Sequence, residues 1–225
     1  MSSYSLGEDV FACATDEGTV FLDLKRDRYF GIDREHTRLY QSLQRPGAGP
    51  EAEQLATHLA ALGLVKRRAM SERPLLPAPI EMPRQSLLPG TFEVPSTVKA
   101  RHWLAFGMAC ASVAAALRLG SLRHALRRYQ RLRGACRSNP FDESKIRELI
   151  QVFCQMRPAF YAARDHCLFD SLVLADFLLR HDISTQCVFG IRMIPFEAHC
   201  WVESNGIVLN GSVEIVGRFA PLAVF

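Results

Sequence analysis

The stretch that decides the fold contains CLFDSLVLADFLLR at residues 167–180, QCVFGIR at 186–192 and PFEAHCWVESNGIVLNG at 195–211. Apolar residues at helical spacing in the first segment predict an α-helix over 166–180. β-branched and aromatic residues in the second segment predict a β-strand over 183–191. The third segment contains Asn-Gly between two apolar runs, which is the strongest short-range signal of a β-hairpin. We therefore expect a helix followed by an antiparallel sheet.

Cys167 and His199 are the candidate catalytic pair in this stretch. Asp165 is the predicted N-cap of the helix, so Cys167 falls in the first turn, where free backbone N–H groups and the helix dipole stabilise a thiolate. His199 begins the first strand of the hairpin and can take the thiol proton. His166 is the competing histidine, but side chains at adjacent helix positions do not face each other. The alternative for Cys167 and His199 is ordinary packing in the core.

Trp201 and Glu203 alternate with His199 along the predicted strand, so we expect all three side chains on one face. The tryptophan is a candidate wall of the cleft, and the glutamate is a candidate partner of Arg192. Ordinary packing of the hairpin explains the same two residues equally well. Cys200 is expected to point away from the site.

The three segments resemble the B proteins of lasso-peptide biosynthesis, which are leader peptidases with a papain- or transglutaminase-like fold. The shared features are a Cys-Leu pair that opens the helix, Gly-Ile-Arg before Pro-Phe, and His-x-Trp-Val-Glu in the hairpin. The resemblance covers residues 140–213. It implies that Cys167 attacks the scissile carbonyl, that His199 transfers the proton, and that backbone amides at the helix start bind the oxyanion.

The same resemblance implies the partners of the protein. The substrate would be a precursor peptide whose leader is removed, with Thr preferred just before the last leader residue. An ATP-using, asparagine-synthetase-like macrolactam synthetase would then close the ring, so this chain would need no cofactor of its own. The sequence contains no Gly-rich phosphate-binding motif and no evident set of metal ligands.

The third member of the catalytic set departs from the family pattern. Family members usually carry Asp twelve residues after the histidine; here that position is Gly211, preceded by Asn210. A side-chain amide can orient an imidazole as a carboxylate does. With a strict two-residue Asn-Gly loop, Asn210 lies diagonal to His199 on one face, whereas a bulge at the turn points Gly211 inward. Asn210 is therefore the candidate, and both registers stay open.

The first part of the chain predicts a small module of three strands followed by two helices. The strands are expected at 10–14, 19–24 and 28–32 because β-formers there are separated by polar turns. Asp33 is the predicted N-cap of the first helix, and leucines on one stripe predict the second over 51–62.

Prolines divide the chain into domains. Six of the twelve lie between residues 73 and 96, where they remove backbone donors and block regular structure. We therefore predict a module at 1–70, a linker at 71–98 and a second domain at 99–225.

The first module resembles the winged-helix-like, PqqD-like recognition element that binds leaders of ribosomally made natural products (RiPPs). The resemblance rests on TVFLDLKRDRYFGID at 19–33 and the two helices after it. It implies that the leader adds a strand to the sheet edge, with side chains in a groove beside the last helix. The implied peptide-binding residues are Arg28, Tyr29, Phe30, Gly31, Ile32, Leu55, His58, Leu59 and Leu62. The alternative is that these residues are core.

Composition and charge limit the other classes of function. Hydrophobic residues make up 48% of the 225 residues and charged residues 22%, which is typical of a globular protein. Seven cysteines without a CxxC pair suit a reducing cytosol. No apolar run reaches ~18 residues and the N-terminus is unlike a secretory signal, so neither a transmembrane segment nor export is expected. Residues 99–141 carry nine Lys or Arg and no acid, but interleaved aromatics are scarce, which disfavours nucleic acid.

The sequence thus predicts an α+β protein with two parts. The first is a winged-helix-like module with a three-stranded sheet, and the second is a papain- or transglutaminase-like domain that begins with helices and ends in an antiparallel sheet. A long apolar helix over 103–117 is expected to be buried on all sides. Two other functions stay open: a non-catalytic adaptor that delivers the leader to the cyclase, and a thiol acyltransferase or amidase with a small substrate.

Overall fold

The structure is a computed structural model, and it describes residues 4–45, 47–67, 74–76, 80–87, 97–136, 141–161 and 167–225. The predicted N-cap Asp165 and the competing His166 lie outside these ranges. The chain forms two compact units. The first contains Met1–Ile80, Ile191–Glu197 and Ala220–Ala223, and the second contains Glu81–Gly190, Ala198–Phe219 and Val224–Phe225.

The first unit contains the predicted three strands and two helices, each within one or two residues of its predicted bounds. Its elements are β1 Tyr4–Leu6, β2 Val10–Ala14, β3 Gly18–Asp23, β4 Arg28–Asp33, α1 Arg34–Ser42, α2 Pro50–Ala61 and β5 Val65–Arg67. One antiparallel sheet has the order β2-β3-β4, so β4 is an edge strand. A second, two-stranded sheet pairs β1 with β5. Neither of these three-residue strands has enough length to show periodicity in the sequence.

Local chemistry sets the limits of the two helices in this unit. The carboxylate of Asp33 accepts a hydrogen bond from His36 N–H at 2.9 Å, which makes it the predicted N-cap of α1. Gly63 adopts a φ of 74° directly after the α2 C-cap, where a left-handed residue ends a helix at low cost. Phe21, Tyr40 and Leu59 are fully buried in the core that lies between the sheet and these helices.

The second unit begins with helices and contains a mixed sheet. Its elements are β6 Gln85–Ser86, α3 Ala100–Leu119, α4 Leu122–Ala135, α5 Glu143–Met156, α6 Cys167–Leu179, β7 Gln186–Arg192, β8 Glu197–Ser204, β9 Ile207–Val208, α7 Val213–Val216 and β10 Ala220–Val224. The strands take the order β10-β7-β8-β9-β6. The α7 turn and β10 were not predicted, because four- and five-residue segments show little periodicity. The last two residues of β7, the first residue of β8 and four of the five residues of β10 group with the first unit.

The described part of the predicted linker has defined structure. Leu75 is 1% exposed, and its carbonyl accepts a hydrogen bond from Tyr40 Oη at 2.6 Å. Gln85 and Ser86 pair in parallel with Ile207 and Val208. The sequence missed this edge strand because proline density argues against sheet, although a two-residue edge strand needs few donors.

Helix α6 lies at the centre of the second unit. Every residue from Asp170 to Leu178 is buried, so this part of the helix is enclosed on all sides. Its buried Asp176 carboxylate accepts hydrogen bonds from Ser112 Oγ on α3 and from Arg128 Nη1 on α4, the latter at 3.2 Å. Arg180 also pairs with it at 3.3 Å. A buried charge is tolerated here because it is paired and hydrogen-bonded.

The expectation that α3 is buried on all sides is wrong. One stripe of α3 is buried, at His102, Phe106, Ala109, Val113 and Ala116. The opposite side exposes large apolar residues, Leu104 at 66% and Met108 at 48%. By length and composition alone α3 could cross a membrane, because a stretch of eighteen residues has a mean hydropathy of 1.3. Within the protein, 33% of that stretch is buried.

Candidate active site

The first turn of α6 is held against β8 by a buried serine. Cys167 is half-buried and begins the described helix. Ser171, one turn later on the same helix face, is fully buried and donates from Oγ to the carbonyl of Cys200 at 2.8 Å. The rise of an α-helix separates residues four apart by about 6 Å along its axis. This bond places the Ser171 face of α6 against Cys200 of β8, the residue next to His199.

Asn210 joins the same two elements. Its Oδ1 accepts from Val202 N–H at 2.8 Å, and its Nδ2 donates to Ser171 Oγ at 2.9 Å. Among the described residues, the hydrogen bonds of this side chain thus go to β8 and α6. Asn210 thus holds the two elements together, a structural task that the sequence did not predict.

The hairpin register that the sequence left open is the strict two-residue one. Ser204 pairs with Ile207, and Glu203 pairs with Val208. Asn205 and Gly206 have φ values of 50° and 73°, which is the type I′ turn that fits the twist of a hairpin. The alternative with a bulge is therefore wrong.

Gly211, which stands where the resemblance expects an acid, faces apolar side chains. A Cβ built on this glycine would lie 3.5 Å from methyl groups of both Val208 and Val216. A carboxylate at this position would start among valines, where an unpaired charge is costly. In this chain the position suits a small residue.

Two aromatic rings contact the imidazole of His199. The Phe219 ring centroid is 5.1 Å away with an interplanar angle of 30°, and the Trp201 centroid is 6.2 Å away at 26°. These two rings restrict the orientation of the imidazole. Phe219 was missed by the sequence analysis, since its position before a short strand carries no signal.

Trp201 supports the imidazole from inside the domain. It is 1% exposed, so it is not the predicted wall of an open cleft. Its Nε1 donates to Glu203 Oε2 at 3.1 Å, and burial raises the pKa of that glutamate. The predicted Glu203–Arg192 pair is wrong, because Arg192 pairs with Glu197 at 2.7 Å.

Gly190 on β7 makes room for that tryptophan. A Cβ at Gly190 would lie 2.6 Å and 2.9 Å from two atoms of the Trp201 ring. Even the smallest side chain there would move the ring on which His199 rests. Gly190 belongs to the Gly-Ile-Arg segment of the sequence, but only its packing against Trp201 explains why glycine is needed there.

The other six cysteines have less reactive thiols. Burial raises the pKa of each, to about 11 for Cys110 and about 12 for Cys187, and also raises it for Cys13, Cys136, Cys154 and Cys200. A protonated thiol is a poor nucleophile at neutral pH. Cys200 is fully buried beside the site, as the strand alternation predicts.

The structure places some of the predicted peptide-binding residues around a groove and others in or against the core of the first unit. Five of them line a groove of about 640 Å³ in the first unit, beside edge strand β4 and helices α1 and α2: Phe30, Gly31, Ile32, Leu55 and His58. Arg28 is exposed on β4. Leu59 is instead fully buried, Leu62 packs against the core, and Tyr29 contacts Phe196 at 5.5 Å between ring centroids. Leu59 lies in the core and Leu62 packs against it, which is the alternative that the sequence left open, whereas Tyr29 has an aromatic partner within the first unit.

Other cavities and ligand groups add little to the site. A cavity of about 820 Å³ lies at the hairpin end of β8 around Glu203 and Asn205, several residues along the strand from His199. Within the described residues, no group of three or more His, Cys, Asp or Glu is arranged to hold a metal ion.

The comparisons with known proteins agree with this domain. No curated protein and no solved structure matches the chain. A family model described as transglutaminase-like superfamily matches residues 109–224, which include α6, the β7–β8–β9 strands and the Cys167, His199 and Asn210 positions. The match covers slightly more than half of the 225 residues, and the chain therefore belongs to the transglutaminase-like superfamily.

Proposed function

We propose that the protein is a cysteine peptidase that removes the leader from a lasso-peptide precursor. Cys167 Sγ attacks the scissile carbonyl, and His199 takes the thiol proton and gives it to the departing amine of the core peptide. An acyl-enzyme forms on Cys167 and is hydrolysed by water, which releases the leader as a carboxylic acid. Backbone N–H groups at the start of α6 are the proposed oxyanion donors.

One observation carries the proposal. The Ser171–Cys200 hydrogen bond holds the α6 face that begins with Cys167 against the strand that contains His199. The resemblance to leader peptidases implies that these two elements bring a nucleophile and a base together, and both lie within the residues that match the transglutaminase-like family model. Asn210 acts in the proposal as a positioning residue, because it binds Ser171 and Val202 at once.

The first unit is proposed to capture the leader as a PqqD-like, winged-helix-like recognition element. An edge strand beside a groove is what strand addition requires, since main-chain pairing supplies affinity and pockets supply specificity. Edge strand β4 and the groove floor at Leu55 and Leu39 support this role. Of the predicted contacts, Arg28, Phe30, Gly31, Ile32, Leu55 and His58 remain in the proposal.

The proposal includes a cytoplasmic setting and a partner enzyme. The core peptide would pass to an asparagine-synthetase-like macrolactam synthetase, which uses ATP to close the ring on the freed amine. The chain itself would need neither a cofactor nor a metal, and it would not bind nucleic acid.

Selective alkylation tests the catalytic pair without a substrate. We expect limiting iodoacetamide near neutral pH to label Cys167 first, because the pKa values of the other six thiols are raised by burial. His199→Ala should remove that lead, while His124→Ala on exposed α4 should leave it intact. Labelling of Cys167 no faster than that of Cys136 would contradict a Cys–His pair.

Cleavage of the cognate precursor distinguishes the rival functions. Cys167→Ala should abolish leader removal and retain leader binding, measured by mass spectrometry and by fluorescence anisotropy of a labelled leader. Unchanged leader delivery and cyclisation with no cleavage by the parent protein would indicate an adaptor. Turnover of a small thioester or amide that is insensitive to Leu55→Glu in the groove would indicate an acyltransferase or amidase.

A further inference from the structure

Helix α3 presents an apolar stripe along its exposed side. The exposed positions recur every three or four residues, which places them on one face of the helix: Leu104, Met108, Ala111, Ala115 and Leu119. Leu119 is 89% exposed. At the start of the stripe the Trp103 ring stacks on Phe160, and both rings are about half exposed. A contiguous exposed apolar surface of this kind marks an interaction site.

The neighbouring helix α4 presents cations. Its exposed positions include His124, Arg127 and Arg131, and Arg118 and Arg123 flank the turn from α3. No acidic residue occurs between 99 and 141. An acid-free basic surface attracts an anionic partner.

The apolar and the basic surfaces lie on two neighbouring helices that bind one carboxylate of α6. Ser112 of α3 and Arg128 of α4 both bind the Asp176 carboxylate of α6. The two helices therefore meet at the same part of α6, and the apolar stripe and the arginines belong to neighbouring helices. Arg128 is consequently occupied inside the domain and does not belong to the outer surface.

We propose that the outer faces of α3 and α4 bind the surface of a bilayer that contains anionic phospholipid. The stripe would enter the headgroup and acyl boundary while the arginines of α4 contact lipid phosphates, as in peripheral proteins whose apolar and basic faces adjoin. Trp103 and Phe160 are the aromatic residues that such an interface favours. Since Phe106 and Val113 of α3 are buried in the domain, the helix lies along the bilayer and does not cross it.

The shape of the α3 stripe and the charge of α4 favour lipid over an acidic protein partner. The stripe extends over the sixteen residues from Leu104 to Leu119, about 23 Å at the rise of an α-helix, and its other members, Met108, Ala111 and Ala115, are all apolar. A long, smooth apolar line beside diffuse positive charge suits a fluid anionic surface, which needs no shaped pocket.

Vesicle flotation of the full chain tests the proposal. The probes are vesicles of phosphatidylcholine alone and of phosphatidylcholine with about one third phosphatidylglycerol. We expect binding to the anionic vesicles that falls as NaCl is raised, and little binding to the neutral ones. Arg127→Gln with Arg131→Gln should weaken binding by about tenfold or more, since each surface cation contributes substantially. Leu104→Gln with Met108→Gln should weaken it as well.

The controls separate this surface from general charge effects. Arg34→Gln with Arg38→Gln removes the same charge from exposed α1 and should leave binding unchanged. Circular dichroism of each variant verifies folding. Binding that survives both α3 and α4 double variants would overturn the proposal. Absence of vesicle binding together with binding of poly-glutamate would also overturn it, and would indicate an acidic polypeptide partner.

Discussion

The Asn210 amide makes two hydrogen bonds to groups on different elements, Val202 N–H on β8 and Ser171 Oγ on α6. A single side chain thus spans the contact on which the distance between nucleophile and base depends. Replacement of such a group leaves a buried donor and a buried acceptor without partners, which costs more than a net hydrogen bond contributes.

Asn210→Ala is therefore expected to destabilise the protein by about 1–3 kcal/mol and to slow iodoacetamide labelling of Cys167. Urea unfolding gives the first quantity, and the labelling rate in native buffer gives the second. Asn205→Gly is the matched control, because it removes an amide from the exposed turn of the same hairpin, where glycine accepts the positive φ. An Asn210→Ala protein with unchanged labelling would contradict the positioning role.

Gly190→Ala tests the support beneath His199. The added methyl group would overlap the Trp201 ring, and overpacking of a core typically costs about 1–3 kcal/mol. We expect a lower melting temperature and slower labelling of Cys167, because the imidazole rests against that ring. Gly134→Ala in α4 meets no neighbour within 4 Å and should instead stabilise the helix by about 0.5–1 kcal/mol. Equal effects of the two substitutions would contradict the packing argument.

At the scale of elements, the packing of α3 and α4 on α6 depends on a buried carboxylate. Asp176 is almost fully buried and binds Ser112, Arg128 and Arg180. Removal of one partner from a buried ionic group is destabilising because the charge that remains is less well compensated. The nine Lys and Arg residues between 99 and 141 are thus not all exposed to solvent, since Arg128 is part of the domain interior.

Arg128→Met is expected to lower the free energy of unfolding by about 1–3 kcal/mol, whereas Arg127→Met should change it by less than about 0.5 kcal/mol. The two residues are adjacent on α4 but Arg127 is exposed. Chemical denaturation of both variants provides the measurement. Similar losses for both would mean that the Asp176 pair contributes nothing specific.

At the scale of the whole molecule, acid should destabilise the second unit through a pair of histidines. His102 and His181 contact each other at 5.5 Å between ring centroids. Burial lowers the pKa of His181 to about 4, aided by electrostatic interactions with His102, Arg101 and Lys145 and opposed by Asp182. The pKa of His102 is also lowered, first by burial.

Both histidines are neutral in the folded protein, but the unfolded chain binds their protons near pH 6.5. Their contribution to stability is therefore present above about pH 6.5 and is lost as the pH falls toward 4. We expect the melting temperature to fall over this window, and to fall less in His181→Gln. His124→Gln, at an exposed position on α4, is the control. A His181→Gln profile identical to that of the parent would contradict the assignment.

The sequence by itself determined the local elements and the candidate residues of the site. Caps and turns such as Asp33, Gly63 and Asn205–Gly206 act through their own backbone, so they could be located without tertiary contacts. The same holds for Cys167 at a helix start and His199 at a strand start, whose types and spacing point to a thiol–imidazole pair.

Tertiary structure alone decided what each polar group binds and which apolar residues are covered. Asn210 and Ser171 are 39 positions apart in sequence, a separation that no local motif spans. Their hydrogen bond exists only because α6 packs on β8. Gly190 matters only because Trp201 lies across it. The exposure of one α3 face is likewise set by how much of its surface the rest of the domain can cover. Because α3 is apolar nearly all round, its sequence has no periodicity that reveals which face is covered.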